Sequence, residues 1–155
     1  GKKILMFHGW ADPNIPPQYS IAYYDAVTKR MGADVSDFYR YFMVPGMPHC
    51  GGNLGLGADF VGLSGVLAPP PPQLADADHD WTIALERWVE QGKAPERIIA
   101  TEFDLPRNAP PPPPSSSPAP IPVKSTRPIC LYPKVAVYKG SGAQSDAANF
   151  ECALK

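Results

Sequence analysis

The sequence predicts an α/β fold, and three stretches carry that expectation. Lys3 to His8 is an apolar run closed by Gly9, and Phe38 to Val44 is a second run, dense in aromatic and β-branched residues and ended by Pro45-Gly46. Between them Ile21, Tyr24, Val27 and Met31 recur at helical spacing. Strand, helix, strand is one crossover unit, which sets its strands parallel and buries the sheet on both faces.

Each element has a local reason. The loop from Trp10 to Pro17 holds three prolines, and the helix from about Pro17 to Met31 starts on a proline suited to a first turn and stops at Gly32. A second helix is expected from Asp80 to Gln91. Its residues Trp81, Ala84, Leu85 and Trp88 fall on one face, Asp76, Asp78 and Asp80 stand near its start, and Gly92 follows its end. It is predicted to lay both tryptophans on the sheet. Pro-rich surface loops are expected at about residues 68–73 and 106–122, where Pro and Ser runs favour extended chain. The tail from Arg127 to Lys155 carries Cys130 and Cys152.

Composition narrows the function. A chain of 155 residues with 44% hydrophobic residues can bury a single core. Fourteen Lys and Arg stand against 15 Asp and Glu, with no run of one sign to follow a phosphate backbone, so no nucleic-acid partner is expected. No apolar run approaches the roughly 18 residues of a membrane span, so no membrane partner is expected either. The chain opens without Met and directly on a buried-looking strand, and one of its three cysteines lacks an internal mate. These features predict a part of a longer protein.

Asp12 follows the first strand and His49 the second, in "VPGMPHCGG". Loops at the carboxyl ends of parallel strands converge on one edge, so an acid and a base placed there can meet. In the α/β-hydrolase plan the order is Ser, then Asp or Glu, then His, and this chain would hold the last two. Asp12 would orient the imidazole, and His49 would move the serine proton. An Asp-Pro step also starts turns, and a His in a Gly-Pro loop can simply face solvent. What favours chemistry is that each stands after its own strand and in the right order.

Other constellations compete poorly. No serine lies in a G-x-S-x-G context after a strand, Leu63-Ser64-Gly65 being the nearest approach. Cys50 is disfavoured as a nucleophile for His49, because adjacent side chains in extended chain point apart. His8, His79, Cys130 and Cys152 show no zinc-ligand spacing, so no metal is expected. His8 either lines the site or is a buried structural imidazole.

"FHGWADPNIPP", "YFMVPGMPHCGG", "ALERWVEQGKAPERIIA", "RPICLYPKVAVYKGSG" and "DAANFEC", in that order, resemble the C-terminal part of the tannase and feruloyl esterase family. The resemblance implies residues 1–155 as the last portion of an α/β-hydrolase catalytic domain that splits phenolic-acid esters such as ferulates and gallates. It implies Asp12 as the acid, His49 as the base, and Cys50 as half of a disulfide to a cysteine beside the serine. It also implies a Cys130–Cys152 disulfide. Serine, lid and the lid's calcium would lie in the remainder of the protein, the expected partner through Cys50 and a shared sheet, so this chain alone would be inert and without cofactor. Trp10 and Ile15 would touch the small aromatic ester. Disulfides imply a secreted or periplasmic protein. Two alternatives stay open: a non-catalytic fragment or interaction module with Pro-rich docking loops, and a serine peptidase-like hydrolase, since fold does not fix function.

Overall fold

In the computed structural model, which describes residues 1–32, 35–49, 72–104 and 120–155, β1 (Ile4–Gly9) and β2 (Tyr39–Val44) pair in parallel, Ile4 opposite Tyr39 and Gly9 opposite Val44. Between them run α1 (Pro17–Met31) and the short α2 (Val35–Phe38). Side chains alternate across a strand, and here each set meets its own helix. Tyr39, Tyr41 and Met43 pack with Tyr24 of α1, whose ring lies 5.1 Å from Tyr39 and 5.3 Å from Tyr41. Phe42 and Val44 face the other way, into a cluster with Trp81, Ala84, Ile98 and Ile129.

α3 (Trp81–Gln91) supplies that second layer. Trp81 stacks on Phe7 at 5.1 Å and meets Phe42 edge-on at 5.0 Å. Trp88 is also buried, under the Lys3 ammonium and the Arg40 guanidinium. Asp80 caps the helix by accepting from the amides of Thr82 and Ile83, and Gly92 ends it in a left-handed conformation that costs a residue without Cβ little.

Past α3 the fold departs from an all-parallel expectation. β3 (Arg97–Phe103) and β4 (Val123–Cys130) form an antiparallel ribbon, and β5 (Val135–Tyr138) pairs antiparallel with β6 (Phe150–Ala153). The ribbon is held against the free side of β2 by a bridge between Phe42 and Leu131 and by the Tyr132 amide donating to the Tyr41 carbonyl at 2.8 Å. Only β1 and β2 are parallel among the described residues.

Two further expectations are corrected. β2 is buried as expected, with Tyr41, Phe42 and Val44 inaccessible, but β1 is half-buried and its Ile4 is exposed, because only β2 lies beside it among the described residues. Met31, expected on the core face of α1, is exposed, because α1 reaches the sheet through its middle at Ile21, Tyr24 and Val27. Most of the Pro-rich stretches at 68–73 and 106–122 lies outside the described residues. Their described ends meet: the Gln73 side-chain amide donates to the Ile121 carbonyl at 2.7 Å and its oxygen accepts from the Ile121 amide at 3.1 Å.

Candidate active site

Because β1 and β2 are parallel, the loops that leave them emerge at one edge, and main-chain bonds fasten these loops together. The Trp10 amide donates to the Val44 carbonyl at 3.0 Å and the Ala11 amide to the Met47 carbonyl at 3.1 Å. Met47 is buried in the α3-side cluster and anchors the second loop, and Gly46 turns it with a positive φ of 71°. The next residue but two is His49.

Asp12 divides its two oxygens between two tasks. Oδ1 accepts from the amides of Asn14 at 2.8 Å and Ile15 at 3.0 Å, which forms the turn that an Asp-Pro step favours. Oδ2 accepts from His49 Nδ1 at 2.9 Å and from His8 Nε2 at 3.1 Å. The turn-starting role and the pairing role therefore coexist in one carboxylate. Burial works to raise the Asp12 pKa, but the Ile15 amide, His49, the Asn14 amide and His8 outweigh it and hold the carboxyl well below the usual carboxylate range.

An ionised carboxylate only accepts, so His49 Nδ1 carries a proton, and in the neutral imidazole Nε2 then keeps its lone pair. The His49 side chain is 38% exposed, whereas that of Asp12 is 5% exposed. Among the described residues nothing bonds His49 Nε2, which can take a proton from a group brought to it. No described serine hydroxyl lies within hydrogen-bond distance of His49. Ser20 is in α1, with its oxygen 2.6 Å from His8 Nδ1, and is occupied there.

Trp10 and Ile15 flank Asp12 and are both exposed, in keeping with their position on an open edge. Trp10 also borders a cavity of about 530 Å³ with Met43, Pro45, Arg127, Tyr132 and Phe150, which includes neither Asp12 nor His49. Cys50, expected to form half of a disulfide, lies outside the described residues. Cys130 and Cys152 are bonded, with Cα atoms 5.6 Å apart, and tie the end of β4 to β6. Among the described residues no group of three His, Cys, Asp or Glu is arranged to hold a metal ion, and no helix is long and apolar enough to cross a membrane.

His8 is the member of this group whose role the sequence left open. The signal for it was present in the four-residue spacing of "HGWAD", but a His and an Asp so spaced on strand and loop meet only if the turn after Gly9 folds back.

The chain is similar to known esterases. The chain is 39% identical to an esterase of Xanthomonas campestris pv. campestris, over 97% of the chain and 26% of that protein. It is 38% identical to feruloyl esterase C of Talaromyces stipitatus, over 99% of the chain and 26% of that protein. The crystal structure of feruloyl esterase B from Aspergillus oryzae superposes with a TM-score of 0.70 at 30% identity, covering 97% of this chain and 26% of that one. The chain thus spans about a quarter of the length of these relatives. The family described as tannase and feruloyl esterase matches residues 1–153, so the chain belongs to the tannase and feruloyl esterase family.

Proposed function

We propose that the chain is the acid-and-base part of a carboxylic ester hydrolase acting on phenolic-acid esters. The observation that carries this is the 2.9 Å bond from His49 Nδ1 to an Asp12 oxygen not used by the turn, with the other imidazole nitrogen open. A serine from the remainder of the protein, held against Nε2, would lose its proton to His49 as its oxygen attacks the ester carbonyl. The tetrahedral intermediate collapses to an acyl-serine, and His49 hands the proton to the departing alcohol. Water then repeats the sequence and releases the free phenolic acid. Asp12 stabilises the imidazolium formed in each half and keeps Nδ1 protonated.

On this reading residues 1–155 are the last portion of an α/β-hydrolase catalytic domain, whose serine, lid and lid calcium lie elsewhere in the protein. The half-buried flank of β1 and the quarter-length match to esterases support that division. Cys50 would tie the His49 loop to the serine loop, Trp10 and Ile15 would border the aromatic ring, and the protein would be secreted or periplasmic, where such a bond persists.

The test uses the full-length protein with methyl ferulate, methyl gallate and a peptide as substrates. His49→Ala and Asp12→Asn should each cut ester turnover by about a thousandfold or more. Unchanged turnover in both variants would end the proposal, and cleavage of the peptide alone would move it to a peptidase. Mass mapping of unreduced digests should find Cys50 linked to a cysteine outside this chain; a free thiol there counts against the clasp.

A further inference from the structure

We infer that His8 is a positioning residue for the acid–base pair, fixing Asp12 through a hydrogen-bond line that runs from Ser20 through His8 to the same carboxylate oxygen that holds His49. The inference rests on the proposed hydrolase reading and extends it to two residues with no part in the bond-making steps.

The geometry assigns the proton on His8. Nε2 faces two acceptors, Asp12 Oδ2 at 3.1 Å and the Ile15 carbonyl at 3.1 Å, so this nitrogen is the donor. Nδ1 sits 2.6 Å from the Ser20 hydroxyl, which fixes the ring from its other side. Ser20 belongs to α1, which packs through Tyr24 on the wholly buried Tyr41, so the line is anchored in the core. His8 follows Met6 on the α1 face of β1, which is why it finds Ser20 in that helix.

Both nitrogens are therefore occupied and the side chain is only 10% exposed, so His8 has no nitrogen left to receive a proton from substrate. Between the two histidines the structure separates holder from base. A carboxylate oxygen presents two lone-pair directions, and on Oδ2 one goes to His8 and the other to His49. With Oδ1 pinned by two amides, the carboxylate cannot rotate without breaking a bond on each side. Removing the His8 donor leaves a buried acceptor direction unsatisfied and frees the carboxylate to tilt, and the His49 imidazole tilts with it.

The test compares His8→Leu, His8→Gln and Ser20→Ala in the full-length protein, with His49→Ala as the reference, by steady-state kinetics on methyl ferulate and by melting temperature. Misplacement of the base should show in kcat: His8→Leu should lower it about tenfold or more with KM within about twofold, and Ser20→Ala about threefold. Gln can offer an N–H toward Oδ2, so His8→Gln should recover most of the lost kcat. If His8→Leu folds and keeps its kcat, or if Gln is as slow as Leu at equal melting temperature, the inference is wrong. If His8→Leu does not fold, Ser20→Ala decides, and an unchanged kcat there overturns it. Retained turnover in His49→Ala would instead refute the hydrolase reading itself.

Discussion

A Cβ placed on Gly9 would overlap the Met47 carbonyl oxygen and lie 2.8 Å from its carbon. No side chain fits there, because the obstacle is backbone. This contact is what lets the loop carrying Asp12 and the loop carrying His49 run against each other, with the Ala11 amide bonded to that same Met47 carbonyl. Gly9→Ala should force the loops apart, with a cost of about 1–3 kcal/mol in urea melts, in the range of other overpacked sites. In the full-length protein its loss of ester turnover should exceed that of an exposed-site control such as Val89→Ala, since the displaced groups are the proposed acid and base.

Asp12 should make stability depend on acidity. Its folded-state carboxyl titrates below the ordinary value of 3.8, so between the two values the unfolded chain binds the extra proton and folding weakens as pH falls. The stabilisation is complete above the unfolded pKa and is lost as pH drops through the folded one. Urea midpoints from pH 6 to pH 3 should fall for the unaltered protein and fall less for Asp12→Asn, which has no carboxyl to titrate. Identical slopes for the two proteins would contradict this.

Asp80 closes the start of α3 from a fully buried position. Asp80→Ala should cost about 2 kcal/mol, at the upper end for helix caps, because two amides lose their acceptor away from water. Asp80→Asn, which keeps an acceptor oxygen, should recover most of it. Chemical denaturation of the pair measures the difference.

The Cys130–Cys152 bond closes a sequence separation of 22 residues around the β5–β6 hairpin. Cutting it in a Cys130→Ala/Cys152→Ala double variant should lower stability by about 3 kcal/mol, the chain entropy that a loop of this length withholds from the unfolded state. The hairpin should loosen first, seen as faster amide exchange at Val135 to Tyr138 than in β2.

The parts of this fold that were legible beforehand are those where chain-local chemistry decides. α1 runs from Pro17 to Met31 as its proline and Gly32 indicate, and α3 is bounded by Asp80 and Gly92. The four antiparallel strands were not legible. β4 carries Pro128, Lys124 and Arg127 among its apolar residues, and β5 and β6 have four residues each, too few for a period to stand out. They form because Ile98, Ala100 and Ile129 complete the cluster under α3 and because a disulfide holds the last hairpin, both long-range effects.

By itself the sequence determined the crossover unit, the two helices with their caps, and the candidacy of Asp12 and His49, since periodicity, Pro and Gly act within a few residues. The family likeness implied a role for each of those residues. Tertiary structure alone decided which oxygen of Asp12 serves the turn and which serves the histidines, and that His8 rather than His49 is the fully bonded ring. Those outcomes depend on distances of about 3 Å between groups on β1, α1 and two loops, set by the close approach at Gly9 and by packing around Tyr41 and Met47. No local preference encodes them.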